Sequence, residues 1–109
     1  MRFIPVTFLL ALLSSALIAP ASAGDVNAGR ARAAQCSVCH GANGISTLAE
    51  APNLAGQSGV YLREQLRNYR SGKRNSEVMG ILAKHLTDTE IDDLAAWFSA
   101  IEVEAKLPK

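Results

Sequence analysis

Cysteine, histidine, methionine and aromatic residues are all scarce in this chain of 109 residues, which has two Cys, two His, two Met and an aromatic share of 6%. Two cysteines cannot form the multi-bridge framework that staples small secreted domains. An excess of one charge is also lacking, with 11 Lys plus Arg against 10 Asp plus Glu. So balanced a chain has no cationic surplus to neutralise phosphates, which excludes an obligate nucleic-acid binder. Nor does it have the self-repulsion that keeps a chain disordered. No segment alternates polar and apolar residues with period two, and β-branched residues are scattered, so no sheet is expected. There is no internal repeat, and the length allows one domain.

Hydrophobic residues are plentiful, at 49%, but unevenly placed. Residues 1–23 carry a single charge, Arg2, then an apolar run from Val6 to Ile18, then the small residues Ala21, Ser22 and Ala23. That order reads as a secretory signal peptide cleaved before Gly24. The competing reading is a retained anchor, since the uncharged stretch is long enough to span a bilayer. Both readings put residues 24–109 outside the cytoplasm, because Arg2 stays inside. A membrane contact follows only if the leader is uncleaved.

The remaining domain, residues 24–109, is expected to be all-α, with four to five helices. Asp25 can cap a first helix running to about Val38, with Gly29, Ala33 and Ala34 on one side. That face is small, so another element must approach it closely. The stretch from Gly41 to Ser58 is rich in Gly and lacks helical periodicity, which predicts an irregular loop long enough to wrap something functional. Ser58 can cap a second helix ending near Gly72, on which Leu62, Leu66 and Tyr69 share a face that Val60 and Tyr61 extend. Arg63, Arg67, Arg70 and Arg74 follow one residue on as a basic stripe. Glu77 to Lys84 reads as a short helix. Thr87 to Glu90 has the capping-box pattern, and Ile91, Leu94, Ala95, Phe98 and Ile101 trace one face of a last helix. The tail from Glu102 to Lys109 is expected to fray.

Both cysteines fall in Cys36-Ser37-Val38-Cys39-His40, the arrangement for covalent attachment of a c-type haem. Two thiols three positions apart can add to the two vinyl groups on one side of a porphyrin, and the adjacent imidazole of His40 then meets the iron from the proximal face. Three other readings use the same residues. A disulfide closing so short a loop stabilises little. A thioredoxin-like site needs a βαβ setting, and a zinc site needs about four ligands, whereas beyond these three only His85 and acidic residues remain. The core count favours haem. After residue 23 the only aromatics are Tyr61, Tyr69, Trp97 and Phe98, too few for a small loop-rich chain to build a sufficient core alone. The chain is therefore expected to fold poorly without its cofactor.

The sixth ligand decides between electron carrier and ligand-binding haem. Met79, the one Met after residue 23, is the expected partner, a soft thioether that raises the reduction potential. The alternatives are a core role for Met79, ligation by His85, or an open site. His85 is expected to lie exposed at a helix end.

These residues together resemble the class I c-type cytochromes, in particular the small bacterial single-haem members related to each half of the two-domain dihaem cytochromes. The resemblance runs through Cys36 to Gly41, Pro52-Asn53-Leu54-Ala55-Gly56-Gln57, Tyr61-Leu62, Gln65-Leu66, Gly72, Met79 and Ile91 to Trp97. It implies a helical fold around one haem c, with Cys36 and Cys39 in thioether bonds and His40 and Met79 as axial ligands. It also implies that the Pro52 carbonyl accepts a hydrogen bond from His40 Nδ1, and that Gly29 admits an aromatic residue, Trp97 or Phe98, where the first and last helices cross. The function implied is periplasmic electron transfer by Fe(II)/Fe(III) cycling, without an enzymatic step. The redox partners would be a periplasmic dehydrogenase, a membrane cytochrome complex or a terminal oxidase or reductase. The alternatives are an electron-transfer subunit of a larger periplasmic oxidoreductase, and a thiol-disulfide oxidoreductase. The basic second helix and acidic last helix would make the domain dipolar, either to steer partners or simply as a solvated face.

Overall fold

The computed structural model describes residues 23–109. The leader expected over residues 1–23 lies outside the described residues except for Ala23. Five helices follow in order, α1 Val26–Ala33, α2 Ser37–His40, α3 Gly59–Ser71, α4 Glu77–Ala83 and α5 Asp88–Ala100. No strand occurs among the described residues, and no helix among them is long and apolar enough to cross a membrane.

The caps explain where most helices begin. Asp25 Oδ1 accepts from Ala28 N–H at 2.7 Å, and Ser76 Oγ accepts from Met79 N–H at 3.2 Å. Thr87 and Glu90 form the full reciprocal capping box of α5. Ser58 occupies the cap position of α3, but its side chain makes no capping bond.

The expected first helix is in fact two. α1 stops at Ala33, and the chain tightens through Gln35 N–H to the Arg32 carbonyl at 3.3 Å and Cys36 N–H to the Ala33 carbonyl at 2.9 Å. Such three-residue spacing overwinds the helix and re-aims it. Ser37 Oγ donates to the Ala34 carbonyl at 2.7 Å, drawing that carbonyl into a local bond of the kind Ser uses to compete with regular helix. The single turn of α2 then carries Cys39 and His40, with His40 as its last residue. It ends at Gly41, with φ +82°, where an added Cβ would lie 1.9 Å from the Ile45 carbonyl oxygen.

α1 crosses α5 at Gly29. A Cβ there would lie 1.9 Å from the Asp93 carbonyl oxygen and 2.8 Å from Trp97 Cβ. Trp97, not Phe98, is thus the aromatic residue against Gly29, and the Arg30 guanidinium sits 5.5 Å from its ring centroid. Asp25 N–H donates to Asp93 Oδ1 at 2.7 Å, fastening the entrance of α1 to the same helix.

α5 also holds α3. The stripe of arginines on α3 faces α5, with Arg67 3.3 Å from Asp92, Arg63 4.0 Å from the same carboxylate, and Arg70 2.6 Å from Asp88. Arg32 of α1 pairs with Glu90. The charge separation seen along the sequence is thereby largely closed within the fold.

The core is lean. Its buried hydrophobic members are Ala33, Ala55, Leu62, Ala83, Ile91, Leu94, Ala95 and Phe98, of which half are alanine. The remaining interior is a cavity.

Candidate functional site

The segment 41–58 between α2 and α3 is irregular, as its glycines predict, but firmly tied. Leu54 and Ala55 N–H both donate to the Gly44 carbonyl, at 2.8 and 3.1 Å. Ser46 N–H donates to Asn53 Oδ1 at 2.7 Å, and Ser46 Oγ to the Cys39 carbonyl at 2.9 Å. Gly56 N–H reaches the Phe98 carbonyl of α5 at 2.9 Å. These bonds fix Pro52 beside α2.

The consequence falls on His40. Its Nδ1 lies 2.8 Å from the Pro52 carbonyl oxygen, an acceptor that keeps the proton on Nδ1 and leaves the Nε2 lone pair available. His40 is buried, at 8% exposure. His40 also lines the adjoining space.

That space is a cavity of about 520 Å³. Cys36, Cys39 and His40 form part of one wall, and Met79 and Leu82 of α4 part of another. Phe98, Leu94 and Leu62 close it from the core. The structure therefore brings together Cys36, Cys39, His40, Pro52 and Met79, all of which line this cavity. It does not bring in His85, which is exposed and lies off its walls.

Large apolar side chains on the walls remain half-exposed, including Leu48 at 46%, Tyr61 at 46% and Leu82 at 53%. Apolar surface lining an open cleft is the usual mark of a ligand or cofactor site.

Other uses of the thiols fit less well. Both cysteines are free and half-buried. Burial pushes the Cys36 thiol above its ordinary range, with Arg32 offsetting part of the effect. A thiol-disulfide catalyst needs the opposite shift, and the described residues lack its βαβ setting. Among the described residues, no group of three or more His, Cys, Asp and Glu side chains could hold a metal ion, which removes the zinc reading.

A family model described as Cytochrome c matches residues 26–101. The chain belongs to the cytochrome c family. It is 43% identical over 79 residues to cytochrome c4 of Pseudomonas aeruginosa, covering 72% of this chain and 39% of that protein. It is 40% identical over 83 residues to cytochrome c-554(548) of Halomonas halodenitrificans, covering 73% of this chain and all of that one. With the thiosulfate dehydrogenase electron acceptor of Thiomonas intermedia it shares 35% identity over 106 residues, or 96% of this chain and 49% of that protein. Among solved structures, cytochrome c4 from Pseudomonas stutzeri superposes with a TM-score of 0.69 at 34% identity, covering 72% of this chain and 46% of that one. This cytochrome therefore spans about half the length, or less, of several curated relatives that it matches.

Membership makes it an electron-transfer protein with one covalently bound haem c, and the residues present fit that group. Two thiols and an imidazole with its outer nitrogen fixed lie on the wall of an apolar cavity, at the end of a helix set to face it.

One part of the wall is not assigned to the site by the sequence. Gln65, Tyr69 and Arg74 also line the cavity, although the sequence placed Arg74 in the basic stripe. The available signal was Gly72. It ends α3 in a left-handed cap with φ +80°, so Arg74 lies beyond the helix and out of register with Arg63, Arg67 and Arg70.

Proposed function

We propose that this cytochrome is a periplasmic one-electron carrier whose haem iron is held by His40 and Met79, with Cys36 and Cys39 in thioether bonds. The observation that carries this reading is the convergence of His40 and Met79 on one cavity while His85 lies outside it. When bound, the haem supplies Fe(II)/Fe(III) exchange at a potential tuned by its axial ligands and surroundings.

The chain's own residues do the positioning. The Pro52 carbonyl holds the Nδ1 proton of His40, which fixes the ring's tautomer and orientation and raises the basicity of Nε2. Ser76 caps α4 at the Met79 amide, which anchors the backbone from which the thioether projects. The thioether is a soft donor that favours the ferrous state and raises the potential. Leu62, Leu94 and Phe98 exclude water from the inner wall. Val38, between the two cysteines, is 82% exposed, so the chain leaves this edge open to a docking protein. Export to the periplasm follows from the leader read in residues 1–23.

Replacement of Met79 by alanine tests the ligand set. In the ferric holoprotein the near-infrared thioether-to-iron charge-transfer band should vanish in Met79→Ala and the reduction potential should fall. Absence of the band from the unsubstituted protein, or loss of the sixth ligand in His85→Ala and not in Met79→Ala, would overturn the assignment.

A second reading is that this cytochrome is a lasting subunit of an oxidoreductase. A match that spans 96% of this chain and 49% of a thiosulfate dehydrogenase electron acceptor supports it, and so does the exposure of Ile81 on α4, at 65%, off the cavity wall. The two readings share the site and differ in dwell time. Co-purification with a dehydrogenase through high salt selects the subunit.

A further inference from the structure

A haem brings two carboxylates as well as an iron, and the cavity walls are poor in charge. Apart from His40, the charged residues that line it are Glu50 and Arg74. Arg74 is thus the one Lys or Arg on the wall among the described residues.

The other arginines of the fold have different partners. Arg32 pairs with Glu90, Arg63 and Arg67 with Asp92, and Arg70 with Asp88. Arg30 lies over Trp97. Among the described residues Arg74 contacts neutral groups only, with its Nη1 donating to Gln65 Oε1 at 2.9 Å and its guanidinium 4.7 Å from the Tyr69 ring centroid. Gln65 and Tyr69 are one turn apart on α3 and line the same cavity. The backbone is held as well, since Arg74 N–H donates to the Asn68 carbonyl at 3.1 Å. The guanidinium is therefore placed by α3, with donors to spare, at an exposed edge of the cavity. Arg is the side chain best suited to carboxylate recognition, because its planar fork offers parallel N–H donors.

We propose that Arg74, oriented by Gln65 and Tyr69, binds a haem carboxylate and thereby orients the cofactor and raises its reduction potential. The proposal rests on the haem reading of the cavity, but not on which residue is the sixth ligand. A cation beside the carboxylate offsets its negative charge, and ferric iron, which carries one positive charge more than ferrous, is the state that such a cation disfavours. Glu50, on the 41–58 loop, is the anion facing the same space, and Arg74 compensates for it too.

The test uses the intact holoprotein. In its ferrous state, NMR should show nuclear Overhauser contacts between the Arg74 side-chain protons and the haem propionate methylenes. Arg74→Gln should shift the ferrous-to-ferric ratio about tenfold toward ferric at fixed applied potential, the scale of one unit charge acting through partly solvated protein, or ~59 mV for one electron. Arg74→Lys should recover most of that shift. The resonance Raman bending mode of the carboxylates should move in Arg74→Gln, as a lost hydrogen bond requires and a merely structural role does not. Absence of the Overhauser contacts in the unsubstituted protein overturns the proposal, whether or not Arg74→Gln folds. An unchanged potential and carboxylate mode in a folded Arg74→Gln overturns it equally. The thioether charge-transfer band, read from the ferric form of the same samples, reports Met79 separately, so failure of the ligand assignment is distinguishable from failure at Arg74.

Discussion

A single missing side chain sets the distance between α1 and α5. At Gly29 a methyl group would have to share space with the Asp93 carbonyl, and neither backbone can yield without moving its helix. Overpacking of this kind costs about 1–3 kcal/mol, occasionally more. Gly29→Ala should therefore lower the unfolding free energy of the ferric holoprotein by an amount in that range, read as a lower chemical denaturation midpoint. An unchanged midpoint would show that the two helices do not touch at this position. The contact matters to the site because α1 leads directly into the turn that carries Cys36, while α5 supplies Leu94, Ala95 and Phe98 to the cavity wall. The partner of Gly29 could not be read from spacing, since Trp97 and Phe98 are neighbours. Their different burial separates them: Phe98 is 5% exposed and faces the cavity, while Trp97 packs at the helix crossing with Arg30 over its ring.

Between helices, arginine and carboxylate side chains complete what the apolar faces begin. Arg70 donates to both Asp88 at 2.6 Å and the Leu86 carbonyl at 3.0 Å, joining the end of α3 to the start of α5. The hydrogen bond from Arg70, then its charge, hold the Asp88 carboxyl below its ordinary value of 3.8. A carboxyl whose pKa is depressed by folding stabilises the folded state above its unfolded pKa, and that contribution is lost as the pH falls through the folded pKa. Asp88→Asn should thus lower the thermal midpoint slightly at pH 7, and the gap from the parent should close in acid below the ordinary carboxylate range. Because Asp88 is solvent-exposed, the pH 7 gap should shrink in high salt. The sequence shows the basic stripe but not what it faces, and it fits steering of partners and a solvated face equally, whereas in the fold Arg63, Arg67 and Arg70 pair with carboxylates of α5. Helix starts were far more legible, because a cap is a local bond between near neighbours, as at Asp25 and Thr87. The break between α1 and α2 was not, since no Gly or Pro marks it and the bonds that tighten residues 34–37 look helical in composition. The thiols and His40 were legible as a motif, whereas Gln65 and Tyr69 become part of the site only through a cavity formed by segments distant in the chain.

For the whole molecule, the decisive quantity is how little of the interior the polypeptide fills. Among the described residues eight hydrophobic side chains are buried and four of them are alanine, while a cavity of about 520 Å³ separates α2 from α4. At about 24 cal/mol per Å³, a sealed void of that size would cost roughly 12 kcal/mol, comparable to the entire stability of a typical domain at about 5–15 kcal/mol. The cavity opens to solvent, so the figure is a ceiling. Water entering it would still leave about half of the surface of Leu48, Tyr61 and Leu82 wet. A covalently held cofactor would change both sides of the balance, by filling the space and by bringing a group fixed to Cys36 and Cys39 against the apolar walls opposite. Folding and cofactor retention should therefore be coupled. The double variant Cys36→Ala/Cys39→Ala, purified free of haem, should keep part of its far-ultraviolet helical signal but lose fixed aromatic dichroism. Its amides at Leu94, Ala95 and Phe98 should exchange with solvent orders of magnitude faster than in the holoprotein, since α5 is the element that both α1 and α3 pack against. If those amides stayed protected, the arginine and carboxylate contacts between α3 and α5 and the close crossing at Gly29 would be sufficient to hold the fold by themselves. The cavity would then be a preformed receptacle rather than the missing half of a core.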